Sequence, residues 1–294
     1  MTVVEELPLV VGVDGSEPSL RAVEWAADEA ALRGTPLRLV HASLWERYEG
    51  ISPEGALAEP SEQVMAEDIV EAAARRARGR QPEVKVSTEV LPEEPEYALV
   101  RESRDAGLLV LGSRGRHGLT EALLGSVSLT VAAHAHCPVI VLRGDQDTRG
   151  GGACRHGRIL LGVGDRREAE AVRFALREAE LRGAELAAVR AWWCPPYETT
   201  DLPLLAGAPA RAHEQAAAER LAEALGEAPE GLTLRRRTVE GHARQVLSAA
   251  SRDADLLVVG ARRKSGHRGL PLGRTVHDAL HHSACPVAVV PEWV

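Results

Sequence analysis

At 294 residues, 45% hydrophobic and 27% charged, the chain has a globular composition with room for two ordinary domains, which excludes a disordered or fibrous protein. A formal charge of -8 and a pI of about 5.8 argue against nucleic acid as a partner, because phosphate neutralisation needs a basic face. Aromatics are only 3%, so the core must be built mainly from Ala, Val and Leu.

The opening "MTVVEELPLV" has no basic n-region and no apolar h-region, and no apolar run approaches the roughly 20 residues that span a bilayer. A cytoplasmic protein with no membrane partner is therefore expected. The cysteines Cys137, Cys154, Cys194 and Cys285 form no C-x-x-C pair and read as reduced thiols.

Along the chain, short apolar runs alternate with longer amphipathic ones. "LVVGV" from Leu9 is a buried strand by length and β-branching. "EPSLRAVEWAADEAALRG" follows as a helix, with Leu20, Val23, Ala27 and Ala30 at helical spacing, Pro18 near its start and Gly34 as its stop. "LRLVHA" (strand), "SEQVMAEDIVEAAARRAR" (helix), "VKVSTEV" (strand) and "PEYALVRESRD" (helix) come next. "GLLVLG" (strand), "SVSLTVAAHAH" (helix) and "PVIVL" (strand) complete the set. This alternation predicts an α/β fold: an open parallel sheet with helices on both faces. Continuously apolar strands such as "LLVLG" fit a sheet buried on both sides.

The second half repeats the first. "DAGLLVLGSRG" from Asp105 aligns with "DADLLVVGARR" from Asp253 at an offset of 148, and Gly12 to Gly162 and Gly34 to Gly183 keep nearly the same spacing. A period of that size means two copies of a domain. The expected division is 1–146 for the first domain, 147–156 for a linker within the Gly-rich "DQDTRGGGACRHG", and 157–294 for the second. The fold class expected is thus two tandem, five-stranded α/β sheets.

In such a sheet, ligands bind beyond the carboxyl ends of the strands, where the strand order reverses. Gly112 follows "LLVL" directly, and the loop "GSRGRHGLTEALLGS" delivers Gly125 and Ser126 to the start of a helix. Free N–H groups, the helix dipole and a hydroxyl there favour a phosphate. A phosphorylated small molecule is the expected ligand. The loop is neither G-x-x-x-x-G-K-[ST] nor a G-x-G-x-x-G after the first strand.

Gly112-x2-Gly115-x9-Gly125-Ser126 resembles the nucleotide-binding signature of the universal stress protein family. "VVGVDGSEPSLRAVEWA" resembles that family's first strand and helix, and "HCPVIVL" its closing strand. The resemblance covers nearly the whole chain twice over, as in tandem members. It implies a Rossmann-like, adenine-nucleotide α-hydrolase-like fold, two halves packed as an intrachain pseudo-dimer, and room for homodimerisation. By position, it implies Asp14 beside ribose and adenine, with Val13, Gly15 and Ser16 in the same turn, and the backbone of Val40 against adenine. Gly112 and Gly115 would line ribose and phosphate, and Gly125, Ser126, Val127 and Ser128 would hold the phosphates. Arg114 and Arg116 either neutralise phosphate or face solvent. ATP accompanied by Mg²⁺ is the implied cofactor, and a stress-response sensor the implied role.

The other readings are slow ATP hydrolysis or phosphate transfer, for which Asp14 and Arg114 are the only plausible actors, a different adenylate such as cyclic AMP, and an interaction module without nucleotide. Asp14 could also simply cap the first helix. His277 and His281, four apart on a helix, could meet one metal, but a surface helix is the expectation. Trp45 and Tyr48 in one copy, and Trp192 and Trp193 in the other, follow the second strand and either stack on a base or pack a loop.

The second copy departs from the signature. Gly164 stands where Asp14 does, with Asp165 next; Arg263 replaces Gly115; and Arg274 replaces Ser126, with Thr275 following. From Gly260 to Arg274 five Lys or Arg residues (262, 263, 264, 268 and 274) and no carboxylate occur. Either the guanidinium groups close the site or they bind a different anion. A closed site, and one ATP per chain, is the expectation.

Overall fold

Local sequence sets the first helix, α1 (Glu17–Arg33), at both ends. Ser16 is its N-cap, its hydroxyl accepting the Ser19 N–H, and Gly34 closes it in the left-handed conformation (φ 70°) with its N–H on the carbonyls of Ala30 and Ala31. The computed structural model describes residues 7–44, 62–113, 124–143, 156–164, 169–195, 208–226, 228–229, 231–263 and 272–293. Two units divide the chain, Met1–Ala153 and Cys154–Val294.

The first unit runs β1 (Leu9–Gly12), α1, β2 (Leu37–Ala42), α2 (Glu62–Arg80), β3 (Val86–Leu91), α3 (Pro95–Glu102), β4 (Leu108–Gly112), α4 (Ser126–His134) and β5 (Val139–Leu142). Its strand order is β3-β2-β1-β4-β5 and each pairing is parallel, with Leu9 opposite both Leu37 and Leu108. Right-handed crossovers leave a central β1 in both directions, so α1 packs with α2 and α3 with α4, one pair per face. The second unit repeats this with β6 (Arg158–Gly162), α5 (Ala169–Arg182), β7 (Glu185–Trp192), α6 (Ala208–Ala224), β8 (Leu234–Glu240), α7 (Ala243–Ala250), β9 (Leu256–Arg263), α8 (Arg274–His282) and β10 (Val287–Trp293). Its order, β8-β7-β6-β9-β10, is the same and again parallel.

The cores follow the composition. Strand residues Val10, Val11, Leu39, Leu109 and Val110 are buried, as are Ala22, Ala26, Ala27 and Ala30 of α1 and Ala73, Ala74 and Ala77 of α2. Small helix faces let the backbone lie close on the sheet, so packing comes from leucine and valine meeting alanine. Among the described residues each core also takes in an ion pair: Glu29 with Arg33 (2.6 Å) in α1, and Glu178 with Arg182 (3.1 Å) in α5, both carboxylates 1% exposed or less.

Cys137, Cys194 and Cys285 are buried and form no disulfide among the described residues, while Cys154 lies outside them. Of the expected linker only His156 is described, and its N–H donates to Asp255 at 3.0 Å. Among the described residues no helix is long and apolar enough to cross a membrane.

Candidate functional site

The first unit's strand order reverses between β1 and β4, so the carboxyl ends of these two strands border the crevice that open α/β sheets use for ligands. Two helix N-termini meet at Gly112, the last residue of β4. On one side the backbone of Pro18, in the first turn of α1, comes so near that a Cβ at position 112 would lie 2.8 Å from its carbonyl carbon and oxygen. On the other side the Gly112 carbonyl accepts the hydroxyl of Ser128, in the first turn of α4, at 2.7 Å. Only a residue without a side chain lets both helices start there. The Gly125 N–H donates to the Ser113 carbonyl at 2.8 Å, so the two ends of the 114–123 loop are clasped twice. Arg114, Gly115 and Arg116 lie outside the described residues.

The clasp determines what the first turn of α4 offers. Gly125 is its N-cap and contributes no side chain, so the N–H groups of Ser126, Val127 and Ser128 have no acceptor within the helix. With the dipole, they favour an anion. The Ser126 hydroxyl donates to Glu96 of α3 at 3.4 Å, which puts a carboxylate beside this helix start. The Ser128 side chain is buried and engaged with Gly112, so its contribution toward an anion is its amide.

After β1, Asp14, Gly15 and Ser16 form a turn that needs a positive φ at Gly15 (78°). Asp14 Oδ1 accepts both the Ser16 N–H (3.0 Å) and the Ser16 hydroxyl (2.6 Å). The capping residue is thus Ser16, and Asp14 holds the cap in place. Val13 is tied to β2 twice: its N–H donates to the Val40 carbonyl at 2.9 Å, and its carbonyl accepts from His41 Nδ1 at 2.7 Å, so that nitrogen carries the proton. Val40 itself lies between Gly12 of β1 and Glu89 of β3.

The corresponding positions of the second unit are built differently. β9 does not stop at Gly260; it runs on through Arg263, paired with Trp293 of a longer β10. Arg263, which stands in place of Gly115, is thus part of an extended strand. Val276 stands where Ser128 does and is buried, so the hydroxyl clasp is replaced by apolar packing. Glu292 of β10 reaches the first turn of α5, where Oε1 accepts the Ala171 N–H at 2.7 Å. Burial pushes its carboxyl up from the ordinary carboxylate value, and the hydrogen bond from Ala171 partly opposes this. Arg190 takes the place of His41, its guanidinium donating to the carbonyls of Val163 and Gly164. Asp165, Lys264 and Arg268 lie outside the described residues, as do Trp45 and Tyr48. Arg274 and Thr275 open α8 after the N-cap Gly273.

The His277 and His281 rings lie 4.4 Å apart between centroids, tilted by 33°, and among the described residues no group of three or more His, Cys, Asp or Glu side chains could hold a metal. Reading the sequence did not find Glu96, Glu292 or the exchange of Ser128 for Val276. The last was visible in the 148-residue offset; the first two depend on contacts distant in sequence.

Parallel five-stranded sheets in this order, with helix N-termini gathered at the switch point, define a Rossmann-like α/β protein of the adenine-nucleotide-hydrolase-like type, here in two tandem copies. The chain belongs to the universal stress protein family, whose sequence profile matches residues 8–143 and again 156–291. It is 33% identical over 288 residues to one universal stress protein of Mycobacterium tuberculosis (96% of each chain) and 32% identical over 301 residues to another (97% of each). The crystal structure of a universal stress protein from Archaeoglobus fulgidus superposes with a TM-score of 0.68 at 18% identity, covering 97% of this chain and 98% of that one.

Proposed function

We propose that the first unit holds ATP and that its occupancy is the signal of a cytoplasmic stress-response protein. The observation that carries this reading is the convergence of the α1 and α4 N-termini on Gly112 at the switch point. Two dipoles and a set of orphan amides then point toward one anion. Gly125, Ser126, Val127 and Ser128 take the phosphates, with Gly112, Arg114, Gly115 and Arg116 along ribose and phosphate. Val13, Asp14, Gly15, Ser16 and the backbone of Val40 form the nucleoside end. A bound Mg²⁺ would ride on the phosphates, shielding them from Glu96, because the described residues supply no cage for a metal.

The second unit does not hold ATP in this reading. Its strand β9 continues where a phosphate loop would begin, and Glu292 brings a carboxylate of the protein's own to the α5 N-terminus.

The test is to denature the purified protein, identify any released nucleotide by chromatography and count moles per chain. ATP near one mole per chain is expected, and Gly115→Arg, which copies the second unit's Arg263, should abolish retention. A stoichiometry near two, or full retention by Gly115→Arg, overturns the reading.

A further inference from the structure

The second unit carries a cavity of about 350 Å³ at the carboxyl end of β7, bounded by α6 and the start of α7. None of its lining residues belongs to the loop and helix that correspond to the phosphate-binding element of the first unit. Its polar and ring-bearing walls are Arg190, Arg220, His213, His242, Trp192 and Trp193; the rest is alanine and glycine, and among the described residues no carboxylate lines it. In a chain of net charge -8, such a lining is a local reversal of sign.

Four further observations give it the character of a site. Arg190 is more than nine-tenths buried, its guanidinium anchored on the carbonyls of Val163 and Gly164. Trp193 and His242 stack with ring centroids 5.1 Å apart and planes inclined by 20°, forming an aromatic wall. The Trp192 Nε1–H is buried with no acceptor among the described residues, and a bound oxygen would satisfy it. The helix-start corner has also changed sign between the units: Glu94 caps α3 with Glu96 in its first turn, whereas His242 caps α7 with Arg244 in its first turn. Neither cap uses its side chain for the helix, so the imidazole of His242 is not needed for capping.

We propose that this cavity binds a small planar aromatic carboxylate. Arginine forks match a carboxylate in plane, the imidazoles and the α7 N-terminus add to the attraction, and the alanine floor with the Trp193 indole takes the ring. The volume lies at the small end of the range of about 300–1,000 Å³ typical of ligand pockets. That suits one or two fused rings better than a nucleoside triphosphate. The proposal does not depend on what the first unit binds.

The test is a titration of the full-length, ¹⁵N-labelled protein with indole-3-carboxylate, following the five indole Nε1–H signals, with Trp192 assigned by Trp192→Phe. Saturable movement of the Trp192 and Trp193 signals is expected, unchanged in Gly115→Arg. His242→Glu, which restores the acidic cap of the first unit, should weaken binding by about tenfold or more, because it sets a carboxylate beside the anionic ligand. It replaces an exposed side chain without a capping hydrogen bond, and Arg220→Gln, also exposed, serves as a second variant. No movement of the Trp192 signal overturns the proposal. So does equal binding of the neutral indole-3-carboxamide, an unchanged affinity in both variants, or ATP moving the Trp192 signal more strongly than the carboxylate.

Discussion

The two switch points share a fold and differ in where the protein's own groups sit. At the first, Ser128 clasps Gly112, Ser16 caps α1 locally, and the amides of the first turn of α4 have no acceptor in their helix. At the second, Val276 replaces the clasping serine, β9 runs straight through Arg263, and Glu292 crosses 121 residues of sequence to meet the α5 N-terminus. Strand order and register are the same in both. The two halves therefore share a scaffold, while a few residues around the switch point change what each crevice offers an anion.

The largest expected effect falls where the units agree. Glu29→Ala and Glu178→Ala each remove a buried carboxylate from its ion pair with Arg33 or Arg182, which should cost about 3–5 kcal/mol in the affected unit. Urea denaturation followed by circular dichroism measures it; a loss below about 1 kcal/mol, the worth of a surface pair, would show the pair to be solvent-screened. Next, Gly112→Ala brings a Cβ to 2.8 Å from the Pro18 backbone and should destabilise by about 1–3 kcal/mol. Ser128→Val, which copies the second unit, leaves the buried Gly112 carbonyl without its donor and should cost about 1–2 kcal/mol. The converse change, Val276→Ser, should bring no gain in stability, since it puts a hydroxyl at a buried apolar position. A stabilised Val276→Ser would mean that the two clasps are equivalent after all.

These substitutions also mark where sequence reading succeeds and where it ends. The alternation of strands and helices was legible because each element states its own period, and α1 even states its ends through Pro18 and Gly34, although the cap itself proved to be Ser16. The site was legible as a list of positions but less so as a set of roles. Ser128 reads as a phosphate ligand, yet its hydroxyl is engaged with Gly112; Gly112 reads as a ligand-lining glycine, yet its bare Cα is required by Pro18. Asp14 reads as a cap or a ligand, and here holds the cap. Glu96 and Glu292 carry no local signal, because only the folded sheet brings each to a helix start. The stop of β4 against the continuation of β9 rests on pairing with β10, which no period within β9 announces.

A smaller effect should separate the two crevices electrostatically. Glu96, 3.4 Å from the Ser126 hydroxyl, opposes a phosphate at the α4 N-terminus unless a cation intervenes. Ser126 is exposed and Glu96 half-buried, so the interaction is screened and worth about 1 kcal/mol. Calorimetric titration of ATP into Glu96→Gln without Mg²⁺ should accordingly show about fivefold tighter binding than wild type, and the advantage should shrink when Mg²⁺ is present. The second unit already has Arg244 at the matching position, so Arg244→Gln should leave ATP binding unchanged. Equal ATP affinity of Glu96→Gln and wild type without Mg²⁺ would place the phosphates away from this helix start.

The finest distinction concerns Glu292. Its folded carboxyl lies above the ordinary value because burial penalises the charge more than the Ala171 N–H stabilises it. A raised folded value means that the native state holds the proton more tightly than the unfolded chain. The resulting stability is fully present below the ordinary carboxylate value, near 4.5, and is lost as pH rises through the raised value. Glu292→Gln keeps an oxygen for the Ala171 N–H and removes the titration. The difference in unfolding free energy between wild type and Glu292→Gln should therefore move in favour of the variant from about pH 4.5 upward, and level off once the native carboxyl is ionised. Thermal melts across that range, at fixed ionic strength, measure it. If wild type gains on the variant as pH rises, the α5 amides hold Glu292 as a carboxylate more strongly than burial opposes it, and Glu292 is then the second unit's built-in anion throughout the pH range.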